Sequence, residues 1–318
     1  MTSHHIGIAL AAIAMCMFAA NVLLIKRAAE SVSLNLGFLI SVGTNVLFCG
    51  LLLAGQLAWS GGELGWSWRP ALLFLLGGAF STYLGRYFFF EAVVRMGSAK
   101  ASLFQAGSPG FAALIAWGVL GEALSPLRLG AIGFTIVGLG LTGYVPGMLS
   151  KRQRRRRRAD AAERAVAGPL ARLKDSTLLL GVCGALTYAV STVMRSAAIR
   201  DWNAPLVGAL LGAASGLALH LVFNTDLRTV GASLRAAERR GVRLYVACGV
   251  LTILAQICAI SSLRYIEVAL SSLITQSTPL LVIPGAYIFF AKKEGLSAHA
   301  WIGGAMVLAG VATLTLSR

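Results

Sequence analysis

The sequence predicts an all-α integral membrane protein with ten transmembrane helices, arranged as two inverted five-helix repeats. Of its 318 residues, 57% are hydrophobic and only 13% are charged, and the mean hydropathy is +0.76. A soluble protein carries about twice that charged fraction. The apolar residues form blocks of about 20 residues, the length that crosses a bilayer as a helix. The second half of the chain also matches the first in sequence at a nearly constant offset, which predicts two related structural units.

The ten predicted helices end at turn residues, such as Ser125-Pro126, or at charged residues, such as Lys26-Arg27. They are expected at about 6–25, 36–58, 71–94, 99–120, 127–146, 177–198, 204–223, 244–263, 268–290 and 297–316. The first repeat comprises 1–146 and the second 177–318. A basic, Arg-rich linker, 147–176, joins them.

The internal repeat rests on residues that match at a nearly constant offset. Pro109 and Pro279 correspond at an offset of 170, and a two-residue insertion then places Glu122 on Glu294 at an offset of 172. The prolines, a Glu-x-x-Ser turn and the helix spacing match together, which chance seldom produces. Each half has an odd number of helices, so the second half is expected to lie upside down relative to the first. Inverted repeats of this kind are typical of secondary transporters.

The net charge of +16 is unevenly distributed, because 151–158 (KRQRRRRR) supplies seven of the 28 basic residues. Such a run can bind nucleic acid, but in a membrane protein it is expected in a cytosolic loop beside anionic lipid headgroups. The loops after predicted helices 1, 3, 5, 7 and 9 hold 21 Lys and Arg residues, and the opposite side holds six. The positive-inside rule therefore places both termini outside the cytosol.

Each repeat carries a proline in the middle of its fourth helix, Pro109 and Pro279. A proline lacks the amide hydrogen and crowds the carbonyl group four residues back, here that of Gln105 or Thr275. We expect each helix to bend there and to free a carbonyl group at mid-membrane depth, where protein, water or a ligand must satisfy it. The two prolines are predicted hinges, and a simple packing kink is the alternative.

Arg86 is an ionisable residue inside the third predicted helix, about eight residues or roughly 12 Å from the charged end at Arg95. Ionisable residues at that depth usually face the bundle interior and mark a substrate or ion path. Arg86 is therefore predicted to bind an anionic group of the substrate, such as a carboxylate. A structural pair with Glu91 or with free helix carbonyls is the alternative. Tyr83 and Phe90 are spaced to share the helix face of Arg86.

Other polar and aromatic residues within the predicted helices are candidates for the same site. Glu91 has Arg95 four residues on, which favours an ion pair on one helix, and proton coupling is its alternative role. Gln256 is the repeat-related mate of Arg86. The predicted substrate-binding residues besides Arg86 are Tyr83, Tyr87, Gln256, Gln105, Gln276, Phe18, Tyr188 and Asn21. Interhelical hydrogen bonds or core packing are the alternatives for them.

The sequence contains no catalytic or metal-binding constellation. The four histidines lack ligand spacing, and the five cysteines lie in apolar segments without a Cys-x-x-Cys motif. No Walker or Rossmann motif is present either. The sequence therefore predicts a protein that is not an enzyme and that uses no metal, no cofactor and no ATP drive of its own.

The pattern resembles the EamA-type members of the drug/metabolite transporter superfamily. In the first half the resemblance is carried by Met96-Gly97-Ser98-Ala99, Ser108-Pro109, Gly121-Glu122, Ser125, and Gly130 to Gly138. These features recur as 266–269, Thr278-Pro279, Lys293-Glu294, Ser297, and Gly303 to Gly310. The resemblance implies ten helices in two inverted halves, alternating access, and a central cavity formed by helices 1, 3, 4, 6, 8 and 9. It also implies that both termini lie in the cytosol, opposite to the charge count.

Taken together, these features favour a secondary transporter of the inner membrane that exports a small polar metabolite, either amino acid-like or an organic anion. One alternative is a flippase for a lipid-linked, phosphate-bearing substrate, in which Arg86 would meet the phosphate. Another is a non-transporting membrane partner or sensor that docks through 151–158. The expected partners are a small-molecule substrate and anionic membrane lipid, and not nucleic acid.

Overall fold

The structure is a computed structural model that describes residues 3–60, 65–120, 125–143, 177–224, 227–262, 264–266, 268–290 and 298–316. The Arg-rich run 151–158, Glu122 and Glu294 lie outside these residues. Within them every regular element is a helix. The first half contains α1 (Ser3–Ala28), α2 (Leu34–Ser60), α3 (Trp68–Gly78), a π-helical turn (Ala79–Gly85), α4 (Arg86–Met96), α5 (Ser98–Ala106), α6 (Ser108–Leu120) and α7 (Pro126–Gly143). The second half contains α8 (Thr177–Asp201), α9 (Pro205–Asn224), α10 (Leu227–Ala236), α11 (Arg239–Ser262), α12 (Val268–Gln276), α13 (Pro279–Phe290) and α14 (Ala298–Leu316).

Seven helical stretches in the described part of the chain are long and apolar enough to cross a membrane. They are His4–Ala28, Leu34–Trp59, Trp68–Met96, Leu178–Asp201, Pro205–Asn224, Arg239–Ser262 and Leu270–Phe290. Pro126–Thr142 and Ala298–Leu314 are shorter apolar helices. The all-helical membrane architecture predicted from composition is therefore confirmed. The short helix α10 lies where the sequence predicted only a loop.

The helices are interrupted just before the two matched prolines. Gly107 separates α5 from α6, and Ser277 and Thr278 separate α12 from α13. Pro109 and Pro279 then stand in the first turn of the following helix, where a missing amide hydrogen breaks no helical bond. The sequence analysis predicted a bend at each proline within one helix, and the structure instead has a break before each proline; the role of the prolines as moving hinges stays a prediction.

A widened π-helical turn, Ala79–Gly85, joins α3 to α4. Just before it, the Gly77 carbonyl accepts hydrogen bonds from the Ser81 hydroxyl at 2.9 Å and from the Ser191 hydroxyl of α8 at 2.7 Å. These hydroxyls compete with the helical amide for the carbonyl, which favours the longer i to i+5 pattern. The turn changes the direction of each following side chain relative to a regular α-helix, and Arg86 is the first residue after it.

The two halves pack against each other in reciprocal pairs. Helix α1 runs along α11, and the corresponding stretch α3–α4 runs along α8. Helix α2 contacts α11 just as its counterpart α9 contacts α3, and α7 packs along α14. The largest buried apolar cluster lies among α1, α4 and α11 and includes Val22, Phe90 and Cys248. The space enclosed by these pairs lies at the centre of the molecule.

Candidate functional site

A cavity of about 150 Å³ lies between the halves and is lined from both. Most of its lining residues have polar side chains, which is unusual inside a membrane bundle and marks a candidate site. Its lining residues are Phe18, Asn21, Val22, Ser81, Thr82, Arg86, Phe89, Phe90, Ser102, Gln105, Tyr188, Ser191, Thr192, Arg195, Thr252, Gln256, Thr275, Gln276 and Thr278. We call this space the central cavity.

The structure brings seven of the predicted substrate-binding residues together in the central cavity. They are Arg86, Gln256, Gln105, Gln276, Phe18, Tyr188 and Asn21. Polar groups in apolar helices turn inward because the lipid offers them no hydrogen bonds. Their shared location agrees with the sequence analysis, and their role in binding stays a prediction.

Arg86 is held by an asparagine from a neighbouring helix. The Arg86 side chain is only 4% exposed, and Asn45 on α2 is fully buried. With the Asn45 amide oriented to donate to the carbonyls of Ser41 at 3.0 Å and Gly249 at 2.7 Å, its oxygen accepts a hydrogen bond from Arg86 Nη1 at 3.0 Å. The guanidinium carbon also lies 5.6 Å from the centroid of the Phe90 ring. Arg86 Nη2 is buried and has no hydrogen-bond partner among the described residues.

The pairing of Arg86 with Glu91, kept open by the sequence analysis, is not what the structure contains. Glu91 instead accepts a hydrogen bond from Arg95 Nε at 2.8 Å, four residues on. This confirms the expected ion pair on one helix. Asn45 takes the place of the carboxylate, so the positive charge of Arg86 is oriented but not neutralised.

A second arginine, Arg195 on α8, also lines the central cavity. Its Nη1 donates to Gln256 Oε1 at 3.5 Å, and its Nε and Nη2 are buried without a partner in the described part of the chain. A Cβ atom added at Gly212 would lie 3.0 Å from Nη2, and one added at Gly77 would lie 3.2 Å from Arg195 Cγ. The side chain therefore packs closely against glycines of two neighbouring helices.

Arg195 was not among the predicted site residues. The predicted helix, 177–198, placed it three residues from the helix end. Helix α8 continues to Asp201, which places Arg195 almost two turns inside. One signal in the sequence could have found it. Like Arg86, Arg195 is a basic residue within a helical stretch that is otherwise apolar and rich in hydroxyl side chains.

The central cavity is positively charged. Two arginines and no aspartate or glutamate stand among its described lining residues. Tyr188 lines the cavity together with both arginines. The other lining groups are mainly hydroxyls and amides, and no cluster of three metal-ligating side chains occurs in the described ranges. Chemically, this arrangement is equipped to bind an anion through charge-assisted hydrogen bonds.

The two helix interruptions meet at the central cavity. Gln276, just before the second interruption, donates from Nε2 to the Ser108 hydroxyl at 3.0 Å, just after the first. Gln105 and Thr275, which match at an offset of 170, both line the cavity. The matched breaks therefore direct polar groups of both halves toward the same space.

Three predicted site residues lie elsewhere. Tyr83, Tyr87 and Glu91 line a second cavity of about 530 Å³, without Arg86. The expectation that Tyr83 shares the face of Arg86 is wrong, because the π-helical turn between them alters the spacing. Tyr83 instead donates its hydroxyl to Asn224 Oδ1 at 2.9 Å. Phe90 lines both cavities, so its ring forms part of the wall between them.

Comparisons with known proteins agree with this architecture. A solved crystal structure of a protein is similar to this chain with a TM-score of 0.57 and 20% sequence identity, over 98% of this chain and 96% of that chain. At this identity the likeness shows the fold alone. No curated protein matches the chain significantly. The EamA-like transporter family matches twice, at residues 5–144 and 175–316, once for each half. The chain therefore belongs to the EamA-like transporter family.

Proposed function

We propose that the protein is a secondary transporter that exports a small polar metabolite with an acidic group across the inner membrane. The observation that carries the proposal is the pair Arg86 and Arg195, which line one cavity between the halves with three guanidinium nitrogens left unpartnered among the described residues. Burying a cation without a counter-charge costs several kcal/mol. An anionic ligand would offset that cost, and the substrate is the natural candidate.

The proposal includes ten transmembrane helices in two inverted repeats, related by a pseudo-two-fold axis. The contact of α7 with α14 supports it. A Cβ added at Gly138 would lie 2.7 Å from the Gly303 carbonyl oxygen, and one added at Gly310 would lie 2.8 Å from that of Ala131. Gly138 matches Gly310 and Ala131 matches Gly303 at an offset of 172, so one contact is made twice with the roles exchanged. An isologous contact between related surfaces has this reciprocity.

Transport would proceed by alternating access around the central cavity. The residues just before Pro109 and Pro279 form turns between two helices, and a turn at an element end is suited to absorb a change in helix direction. The Phe90 ring, as shared wall, would move when the two cavities connect. Proton coupling through Glu91 remains part of the proposal, with Glu91 acting from the second cavity. The run 151–158 would lie in the cytosol against anionic lipid.

The test is release from proteoliposomes. Vesicles containing the purified full chain are loaded with a mixture of amino acids, organic acids, sugars and lipid phosphates, and release is followed by mass spectrometry. We expect an acidic metabolite to leave through the wild type and not through Arg86→Ala. Arg27→Ala is the control, since Arg27 is half exposed and pairs with Glu30 near the end of α1, away from the central cavity. Equal release by wild type and Arg86→Ala would refute the proposal, and movement of lipid phosphate alone would favour a flippase.

A further inference from the structure

The positive charges of the central cavity indicate not only that the substrate is acidic but also how many acidic groups it carries. We propose that the ligand is a small organic dianion with two separate acidic groups and no ammonium group, such as a short dicarboxylate. This inference rests on the proposed function and narrows its substrate class. It follows from the number of the cationic groups, their separation, and the chemistry of the groups around them.

The two arginines are held apart along the packed helices. A Cβ added at Gly77 would touch Ser191 and Arg195, whereas one added at Gly85 would touch Thr187 and Tyr188. The α3–α4 stretch therefore runs antiparallel to α8, and Arg86, next to Gly85, lies level with residues 187 and 188. Eight residues of helix separate that level from Arg195, which corresponds to about 12 Å between the two attachment points.

The two guanidinium groups are also anchored toward different helices. Arg86 is fixed by Asn45 on α2, and Arg195 is directed toward Gln256 on α11. Each keeps at least one buried nitrogen unpartnered in the described part of the structure. Because the anchors differ, each guanidinium is positioned to take its own acidic group, and Tyr188 lines the same cavity. A ligand with one acidic group at each end matches this arrangement.

The lining disfavours an amino acid. The ammonium group of a zwitterion would enter a space that already holds two positive charges, and no carboxylate stands among the described lining residues to receive it. Like charges brought together in a binding site oppose binding strongly. The side-chain amide of Gln105 can donate to an oxygen atom of an acid, whereas the hydroxyls of Ser102 and Thr252 already donate to the carbonyls of Ala99 and Cys248. The small volume of the cavity, about 150 Å³, agrees with a ligand of a few carbon atoms.

Three matched probes test the inference. Succinate carries two carboxylates, succinamate replaces one of them by a neutral amide, and aspartate adds an ammonium group to succinate. Each is titrated calorimetrically into the purified full chain at a pH where both carboxyl groups are ionised. We expect succinate to bind about tenfold or more tightly than succinamate or aspartate, because each lost or opposed charge removes a charge-assisted contact.

Arg195→Gln gives the second half of the test. We expect it to weaken succinate binding by about tenfold or more and so to abolish the preference over succinamate, because only Arg86 then remains to take a carboxylate. Arg195→Lys, which keeps the charge, should retain part of the preference. Arg200→Gln, an exposed position on the same helix, should behave as wild type. Thermal unfolding of each variant shows whether it is folded.

The outcomes separate this inference from the proposed function. If aspartate or a monoacid binds as tightly as succinate, and this binding is lost in Arg86→Gln, the inference of a dianionic ligand fails. The proposed arginine-dependent transporter would still stand. If glycerol phosphate binds more tightly than succinate, the site prefers one doubly charged group to two separate acidic groups, and the inference of a dicarboxylate-like ligand also fails. If acids bind equally to wild type, Arg86→Gln and Arg195→Gln, the inference and the proposed function both fail.

Discussion

Replacing Asn45 by alanine should destabilise the protein and weaken binding at the central cavity. Asn45 is fully buried, joins α2 to α4 through Arg86 at 3.0 Å, and joins α2 to α11 through the Gly249 carbonyl at 2.7 Å. A hydrogen bond to a charged group contributes about 1.5–3 kcal/mol, and a neutral bond between membrane helices averages about 0.6 kcal/mol. The expected loss for Asn45→Ala is therefore about 2–4 kcal/mol in the free energy of unfolding.

A double-mutant cycle measures how much of this loss passes through Arg86. Asn45→Ala, Arg86→Met and the double variant are unfolded reversibly in lipid bicelles, and the coupling energy is taken from the three differences. We expect a coupling of about 1.5–3 kcal/mol, because the Asn45–Arg86 bond is a charge-assisted contact. Thr44→Val is the control, since the Thr44 hydroxyl donates within its own helix, to the Ile40 carbonyl at 2.7 Å.

Binding gives an independent readout of the same bond. Without Asn45 the guanidinium of Arg86 loses its orientation, and ligand affinity should fall about tenfold for each 1.4 kcal/mol of positioning that is lost. The idea that Asn45 positions Arg86 would be refuted by two results together. The effects of Asn45→Ala and Arg86→Met on the free energy of unfolding would add within about 0.5 kcal/mol, and Asn45→Ala would bind the ligand as tightly as the wild type.

Three further changes test other parts of the account. Gly138→Leu should lower the free energy of unfolding by about 1–3 kcal/mol or more, because its Cβ would lie 2.7 Å from a carbonyl oxygen of α14. Gly130→Ala is the control and should leave the free energy of unfolding unchanged, because no atom lies within 4 Å of a Cβ added there. Equal effects of the two substitutions would contradict the close packing of α7 on α14. Glu91→Gln should change stability by less than about 1 kcal/mol and leave affinity at the central cavity unchanged, whereas a tenfold loss in a titration would place Glu91 at that site. Pro109→Ala and Pro279→Ala should preserve affinity but slow release from proteoliposomes, and wild-type rates in both would remove their role as hinges.

The apolar blocks and the matched prolines were readable in the sequence because both follow from local chemistry. A membrane helix must be apolar over its length, and a proline, which has no amide hydrogen to donate, is disfavoured in a helix interior and favoured in its first turn. For the same reason the sequence alone could place Arg86, Gln105 and Gln256 inside the bundle. Lipid leaves a buried polar group only the interior to face.

The features that the sequence did not reveal depend on contacts between distant helices. The π-helical turn is favoured by Ser191, which reaches the Gly77 carbonyl from another helix, and it sends Tyr83 to a different cavity. Arg195 was missed because a helix end is poorly defined by local sequence. Asn45 was missed because its role exists only where α2 meets α4 and α11.

The central claim is that one cavity between the halves receives the substrate and opens to each side of the membrane in turn. Thr275→Cys and its repeat-related partner Gln105→Cys, each in a background without the five native cysteines, place a thiol on that cavity from either half. The measurement is the labelling rate with a membrane-impermeant thiol reagent added from one face and then, in separate vesicles, from the other. The account predicts labelling of both positions from both faces, slowed by a saturating dicarboxylate. Labelling from one face only, at a rate that no acid changes, would contradict it.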